Sequence, residues 1–391
     1  MGSRFMTPAV VVGGGINGLG VVRSLGQAGV PTIVIDANAA APALRSRYAK
    51  AVISGGDQPS DIVHALESVA GRLSPLRPVL ILTTEQAVAA VASNYGSMSK
   101  RFHLTMGAPS RLEPALHKDG VRTIALEAGL AIPRTIHITE REQLDAIARC
   151  KLPLVVKPGR RTPAYEQAFD KAYRVDDYDS ARHLIARILP VLPDVIVQEW
   201  VVGLDSDLYF CLQYRPLNGG RAFSFVGRKL VCWPPRVGGT ASCTAAPEAG
   251  ELVEATDRFF EHAGIRGLAS MEYKYDMTRN AYVIVEPTVG RTDFQEEIAT
   301  LCGTNLPLLA YCDTLDLAAP ARLPPGTRVR VWRERYGTAR SAAHPHAEPA
   351  VMPEGAQVVD ALQRWNDPGP AVASLVARVE RRLPRIGRRK S

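Results

Sequence analysis

Apolar and polar positions alternate in two different ways along this chain of 391 residues. Up to about residue 108, short apolar runs at 9–12, 31–36 and 78–83 are separated by stretches of helical period, such as 60–72. Strands that alternate with helices of this kind predict a doubly wound parallel sheet. We therefore predict an N-terminal α/β domain over residues 1–108.

From residue 109 onward the pattern changes. Helices are predicted near 114–129, 139–149, 178–190 and 248–263. Alternating positions over 207–246, with turns between them, predict antiparallel strands, and we expect an α+β domain over 109–312. Residues 313–391 are rich in Pro, Ala and Arg. They are predicted to form a C-terminal extension that wraps the body and ends in a helix at 369–383.

Charge is unevenly placed along the chain. The net charge is +8, but residues 378–391 hold seven cations and one acid and so contribute +6 of it. The rest of the chain is close to neutral, which argues against nucleic acid as the partner; the role of the basic tail stays open. No apolar run of about 18 residues occurs, so no membrane span is predicted. Six scattered cysteines without zinc-ligand spacing favour reduced thiols and a cytoplasmic location.

A glycine turn follows the first strand. Gly13, Gly15 and Gly18 lie between a predicted strand and a helix, and Asp36 ends the next strand. This spacing matches the dinucleotide-binding fingerprint, so an NAD- or FAD-dependent oxidoreductase is one hypothesis. The alternatives are a tight strand-to-helix turn without a dinucleotide, or a substrate site that includes Gly14 and Asn17. The segments downstream favour these alternatives.

Five features follow one another downstream. They are the segments 116–120, 128–135, 152–158 and 197–205, and a pair of acids on successive strands, Glu272 and Glu286. In order and spacing they resemble the ATP-grasp superfamily, and most of all its carboxylate–amine ligases of the D-aspartate ligase and pyrrolysine-biosynthesis type, over residues 8–312. The resemblance implies an ATP-grasp fold of two lobes with a hinge near 198–203, preceded by a Rossmann-like domain. It also implies ATP and Mg²⁺ as cofactors, with Mn²⁺ as the alternative metal.

The same resemblance assigns roles to individual residues. They are Lys118 and Lys157 for the phosphates; Gln198, Glu199, Trp200 and Val201 for adenine; Asp205, with Asp207 as its rival, for ribose; and Glu272 and Glu286 for magnesium. These residue types suit the chemistry, because lysines supply point charges for phosphates and carboxylates supply the hard oxygens that Mg²⁺ takes.

Two departures from the family pattern follow the second acid. Thr288 occupies the position of the usual asparagine ligand, and the usual arginine is displaced by one position to Arg291. A threonine hydroxyl can also bind Mg²⁺, so Thr288 is predicted as the third metal ligand. The acidic run 293–297 would either attract a cationic amine or open a helix, where acids are favoured.

Three cations and one glycine complete the predicted site. Lys229 and Arg291 are predicted to be catalytic, because they would stabilise the oxyanion of the transition state. Arg236 and Gly239 lie in a segment that resembles the lining of the substrate carboxylate.

The activity implied is ligation. A carboxylate attacks the γ-phosphate of ATP, and an amine attacks the resulting acyl phosphate, so no nucleophilic cysteine or serine is expected. Small-molecule carboxylate and amine substrates are the expected partners, one of them an amino acid or small peptide, and a homodimer stays open. Besides the oxidoreductase, the remaining alternative is a catalytically degenerate ATP-binding module, which Thr288 motivates.

Overall fold

The computed structural model describes residues 5–160, 162–170, 172–236, 238–318 and 329–382, with side chains up to residue 375. Its strands form three sheets of five, seven and four strands. Within these ranges no helix combines the length and apolarity needed to cross a membrane.

The five-stranded sheet is built from the N-terminal part of the chain. Its elements are β1 (Ala9–Val12), α1 (Ile16–Gln27), β2 (Thr32–Asp36), β3 (Ala49–Ile53), α2 (Pro59–Leu73), β4 (Val79–Leu82), α3 (Glu85–Ser93), α4 (Tyr95–Arg101) and β5 (His103–Leu104). All its strand pairs are parallel, in the order β3-β2-β1-β4-β5. The predicted parallel sheet is confirmed, and β1 and β4 are buried throughout, as wholly apolar strands of such a sheet should be.

The four-stranded sheet follows two short helices. Its region contains α5 (Pro109–Leu116), α6 (Lys118–Glu127), β6 (Thr135–Ile138), β7 (Leu154–Pro158), α7 (Pro163–Ala168), β8 (Tyr173–Val175), α8 (Tyr178–Ile188) and β9 (Val195–Glu199). The strands pair antiparallel in the order β6-β9-β7-β8.

Two predicted helices differ from those observed. The helix expected near 114–129 is split into α5 and α6, because His117 between them has an extended backbone. The helix expected near 139–149 is a 3₁₀ helix, Arg141–Arg149. Its apolar residues Leu144 and Ile147 are three positions apart, which is the period of a 3₁₀ helix.

The seven-stranded sheet carries most of the remaining chain. Its region contains β10 (Leu208–Arg215), β11 (Phe223–Trp233), β12 (Gly239–Ala245), α9 (Glu251–His262), β13 (Gly267–Asp276), β14 (Ala281–Val289), α10 (Glu297–Leu301), α11 (Leu306–Thr314), β15 (Arg330–Arg333), α12 (Arg335–Ala342), β16 (Gln357–Asp360) and α13 (Gly369–Arg382). Strands β10 to β12 are antiparallel, as predicted over 207–246, and β13 and β14 continue the antiparallel pairing. The order β14-β13-β10-β11-β12-β15-β16 shows that the C-terminal residues add two strands to this sheet.

A buried ionic network joins the C-terminal segment to the rest of the molecule. The guanidinium of Arg23 on α1 lies 2.9 Å from the Asp367 carboxylate, and both side chains are about 1% exposed. Glu297 at the start of α10 pairs with Arg364 at 2.9 Å and accepts a hydrogen bond from the Trp332 indole at 3.0 Å. The segment that contains Arg364 and Asp367 is therefore tied to both α1 and α10.

Candidate active site

The two lysines predicted to bind phosphate both lie at β7 in the four-stranded sheet. Lys157 is part of this strand, and Lys118 contacts its end. The ammonium of Lys157 donates to the Gln198 side-chain oxygen at 2.8 Å, and the Gln198 amide donates to the Thr135 hydroxyl at 2.9 Å. This chain of bonds links β7, β9 and β6. Lys118, at the start of α6, donates to the Pro158 carbonyl at the end of β7 at 3.2 Å. The structure thus brings the two lysines to the same strand.

The predicted hinge at 198–203 contacts the large sheet. Trp200 lies between two cations, with the Lys274 ammonium 5.3 Å and the Arg174 guanidinium 5.7 Å from its ring centroid. Lys274 is two residues after Glu272 on β13, so the two side chains share one face of that strand. The hinge therefore lies against the sheet face that carries the predicted metal acid.

Glu199 forms an ion pair that the sequence did not indicate. Its carboxylate accepts a hydrogen bond from the Lys151 backbone at 3.0 Å and another from the Arg279 guanidinium at 2.7 Å. Burial acts to raise the pKa of Glu199, but these hydrogen bonds outweigh it, so the pKa is lowered. Arg279 lies beyond β13, where a cation is usually solvated, and local sequence carried no signal for it.

Replacing Glu199 by glutamine should weaken the fold most at neutral pH. A carboxyl whose pKa is lowered on folding contributes stability above its unfolded pKa, and that contribution disappears as pH falls through the folded value. The midpoint of urea unfolding should be lower for Glu199→Gln than for the wild type at pH 7, and the gap between the two midpoints should narrow as the pH falls below the ordinary glutamate pKa of about 4.3. Glu166→Gln, at an exposed position, is the control. A gap that widens on acidification contradicts this account.

The predicted metal acids lie directly opposite one another. Glu272 on β13 pairs in register with Glu286 on β14, and Ser270 pairs with Thr288 two residues away. Positions two apart on a strand share a face, so these four residues form one polar patch. Asp293, from the acidic run, accepts a hydrogen bond from the Ser270 hydroxyl at 3.0 Å and so joins this patch.

Lys229 on β11 is the cation of this patch. Its ammonium lies 2.6 Å from the Glu272 carboxylate, and its side chain is 2% exposed. Burial acts to lower the pKa of Lys229, but the Glu272 charge outweighs it and the pKa is raised. Burial, together with the charges of Asp293 and Glu286, raises the pKa of Glu272, although Lys229 opposes this. A divalent cation beside Glu272 and Glu286 would relieve the repulsion between the acids.

The residues present fit a magnesium ion held in part by substrate. In the described part of the chain, no group of three or more His, Cys, Asp or Glu side chains is arranged to hold a metal. Mg²⁺ is usually bound by one or two carboxylates, with phosphates and waters completing the octahedron. Glu272 and Glu286 satisfy that requirement, with the Thr288 hydroxyl on the same face.

Arg291 is placed at the boundary with the parallel sheet. Its guanidinium lies 3.2 Å from the Glu85 carboxylate at the start of α3 and donates to the Thr292 carbonyl at 3.1 Å. The side chain is 18% exposed and Glu85 is 81% exposed. An exposed pair of this kind contributes little, so Arg291 can exchange this partner for an anionic substrate at small cost.

Asp205 is held by a residue of the C-terminal segment. It is 3% exposed, and its carboxylate accepts hydrogen bonds from the backbones of Cys232 and Arg236, both at 2.8 Å. Glu348 accepts from the Asp205 backbone at 2.7 Å and pairs with the Arg236 guanidinium at 3.0 Å. Gly239 starts β12 close by in the chain. No sequence pattern pointed to Glu348, which lies in the Pro- and Ala-rich segment.

Within the glycine turn, the groups expected to hold a dinucleotide are engaged with the protein. The backbone amide of Gly14 donates to the carboxylate of Asp36, which is the acid expected to take a ribose hydroxyl. The Asn17 amide donates to the carbonyls of Thr83 and Thr292, each at 3.0 Å, and accepts from the Thr292 hydroxyl. Asn17 therefore ties the turn to the residue that follows Arg291, and the tight-turn hypothesis explains it.

Burial favours the protonated thiol in most of the cysteines. Burial raises the pKa of Cys150 and Cys302 to about 11, and that of Cys211 and Cys232 to about 12. A thiol with a raised pKa is a poor nucleophile.

Solved structures resemble the whole architecture. N5-carboxyaminoimidazole ribonucleotide synthetase in complex with ADP aligns over 97% of this chain and 98% of its own, with a TM-score of 0.65 and 15% identity. The N5-carboxyaminoimidazole synthetase of Staphylococcus aureus with ADP covers 81% of this chain and 79% of its own, with a TM-score of 0.62 and 13% identity. The chain has the ATP-grasp fold.

A third structure with this fold is an amino-acid ligase. The L-amino acid ligase of Bacillus licheniformis covers 81% of this chain and 76% of its own, with a TM-score of 0.58 and 14% identity. No family model and no curated protein sequence matches the chain. The ATP-grasp fold, which was predicted from the order and spacing of segments along the chain, is confirmed. The residue roles and the domain boundaries at 108 and 312 stay predictions.

Proposed function

We propose that this protein is an ATP- and Mg²⁺-dependent ligase that joins a carboxylate to an amine, with an amino acid or small peptide as one substrate. The substrate carboxylate attacks the γ-phosphate of ATP, the bond to the bridging oxygen breaks, and ADP leaves. The amine then attacks the acyl carbon and loses a proton, and phosphate leaves as the amide forms. Activation as an acyl phosphate is needed because a free carboxylate is a poor electrophile.

One observation carries the proposal. Glu272 and Glu286 are paired directly opposite one another beside the buried Lys229, on the sheet face against which the hinge residue Trp200 lies. Carboxylates for a divalent cation and a cation for a developing negative charge are what phosphoryl transfer requires of a protein. A nicotinamide or flavin enzyme has no need of this group.

The remaining residues take roles in binding and positioning. Lys118 and Lys157 would hold ATP phosphates, and residues 198–201 would hold adenine through the hinge backbone, with Asp205 or its rival Asp207 at the ribose. When bound, Mg²⁺ would neutralise charge on the phosphates between Glu272, Glu286 and the Thr288 hydroxyl. Lys229 and Arg291 would stabilise the oxyanion formed when the amine attacks.

The similar structures support the chemistry as well as the fold. Two of them are synthetases in complex with ADP, and the third is an L-amino acid ligase. Because identities are 13% to 15%, they leave the substrates of this chain open.

The direct test is a screen for ADP release. Purified protein is incubated with ATP and Mg²⁺ and with amino acids, singly and in pairs, and the products are analysed by mass spectrometry. We expect at least one combination to yield ADP, phosphate and a product lighter than the summed substrates by one water. Tight binding of NADH without ATP binding would instead favour an oxidoreductase, and ATP binding without ADP release from any pair would favour the degenerate ATP-binding module.

Replacing Lys157 by methionine should weaken ATP binding about tenfold to a hundredfold, because a charge-assisted hydrogen bond to phosphate is lost. Methionine keeps the length of the side chain while removing its charge. Isothermal titration calorimetry with ATP and Mg²⁺ measures the effect. Lys151→Met, six residues earlier and exposed, is the matched control, and equal affinities of the two variants would remove Lys157 from the nucleotide site.

A further inference from the structure

Large apolar side chains are exposed to solvent around the last helix. Trp365 is fully exposed, and Val372 and Leu375 on α13 are 59% and 62% exposed. In the sequence, Val376 and Val379 continue the three- and four-residue spacing of these two positions. An exposed apolar patch on an otherwise packed protein marks a surface that contacts something else.

The exposure of Trp365 is built into the fold. The residue before it, Arg364, pairs with the buried Glu297. Two residues after it, Asp367 is about 1% exposed, pairs with Arg23 and accepts from the Ser46 hydroxyl at 2.9 Å. The short segment is therefore held on both sides, and Trp365 lies between these anchors with its side chain fully exposed.

Exposed cations lie beside the segment that carries Trp365 and beside the start of α13. The Arg47 guanidinium donates to the Asn366 carbonyl at 3.4 Å, and Arg335 donates to the Gln363 side chain at 3.4 Å. The 3₁₀ helix Pro42–Arg45 packs against the start of α13, where Gly369 lies beside the Arg45 carbonyl. Arg45, Arg47 and Arg335 are all exposed.

The sequence adds further charge at this end of the chain. Residues 378–391 hold seven cations and one acid, and residues 383–391 lie outside the described ranges. We call the combination of Trp365, Val372 and Leu375 with Arg45, Arg47 and Arg335 the C-terminal face.

We propose that the C-terminal face binds the surface of an anionic lipid bilayer. A helix that carries apolar residues and many cations binds in the interfacial plane of a membrane, with its apolar side chains below the headgroups and its cations near lipid phosphates. Tryptophan is enriched at that depth. Each Lys or Arg near an anionic bilayer strengthens the attraction about fivefold, and the C-terminal face carries three exposed arginines. The contact proposed is peripheral, with the face lying on the bilayer surface.

Charge and chemistry disfavour the other occupants. A second copy related by a two-fold axis would place the same patch against itself, so its cations would face like charges. Nucleic acid would pair with the arginines but would leave Val372 and Leu375 in water. A bilayer with anionic headgroups satisfies both kinds of side chain.

The test is sedimentation of the full chain with lipid vesicles. Vesicles of phosphatidylcholine with phosphatidylglycerol are compared with vesicles of phosphatidylcholine alone. We expect binding to the anionic vesicles only, weakened by salt, with a shift of Trp365 emission to shorter wavelength. Equal binding to both vesicle types, or binding to neither, overturns the proposal, as does binding to duplex DNA or polyglutamate without binding to anionic vesicles.

Variants separate the apolar and basic contributions. Trp365→Ser with Leu375→Ser should lower the partition coefficient at least tenfold and remove the emission shift. Arg45→Gln and Arg335→Gln should each lower the partition coefficient about fivefold. Met277→Ser, at a residue 72% exposed in the β13–β14 turn, is the control and should bind as the wild type. Thermal unfolding confirms that each variant is folded, and unchanged vesicle binding by the folded Trp365→Ser, Leu375→Ser protein overturns the proposal.

Discussion

Glu286→Ala should lower the turnover number by about a hundredfold to a thousandfold or more while leaving the fold intact. The acid is one of two carboxylates placed to bind Mg²⁺, and loss of charge stabilisation at a transferring phosphoryl group costs a factor of this size. Glu286 is exposed and faces the like charge of Glu272, so removing it leaves no buried group without a partner. The measurement is ADP release with the substrates found by the screen, together with thermal unfolding.

The matched control for this prediction is Glu67→Ala, which removes an exposed acid from α2. It should keep full turnover. Full turnover by Glu286→Ala would instead contradict the assignment of the metal site. A large loss of thermal stability in Glu286→Ala would contradict the statement that this acid serves the reaction and not the fold.

Asp367→Ala should destabilise the protein by about 3–5 kcal/mol, because removing one partner of a buried pair leaves an uncompensated charge. Arg23 is 1% exposed and loses its closest carboxylate, while Glu297 lies farther from it at 3.7 Å. The measurement is the free energy of unfolding in urea. The double variant Arg23→Met, Asp367→Ala should recover much of the loss, because the guanidinium that lost its carboxylate is removed too and Arg364 still pairs with Glu297. A single variant within 1 kcal/mol of the wild type would contradict this account of the network.

Local pattern was enough for most of the elements, and the family resemblance was enough for the fold. The wholly apolar β1 and β4 indicated the parallel sheet. The order and spacing of the family-like segments between residues 116 and 286 indicated the ATP-grasp fold, which the similar structures confirm. Local pattern could not show that β15 and β16 add to the large sheet. Their pairing depends on contacts between residues far apart, and four-residue strands within a Pro- and Ala-rich segment carry little periodicity.

The sequence could not predict which residues form ion pairs and hydrogen bonds with the predicted site residues. Glu199 pairs with Arg279, which is 80 residues away, and the Asp205 backbone donates to Glu348, which is 143 residues away. Both partners are charged residues in irregular segments, where a charge is usually solvated. The positions of Lys118 and Lys157 at β7 agree with their predicted role, although the role itself awaits the binding experiment.

The glycine turn shows how one motif supports two functions until its surroundings are known. Glycines after a strand permit a phosphate to approach the backbone, but here the Gly14 amide donates to Asp36. Asn17 then connects the turn to Thr292 beside Arg291. A turn that positions the end of the large sheet accounts for these contacts without a dinucleotide.

The route of oxygen during the reaction tests the central claim most directly. The reaction is run with the carboxylate substrate labelled with ¹⁸O in both oxygens, and the phosphate and nucleotide products are analysed by mass spectrometry. An acyl phosphate intermediate predicts ADP as the nucleotide product and one ¹⁸O atom in each released phosphate. AMP carrying the label, or phosphate with no ¹⁸O, would contradict the proposed ligase mechanism.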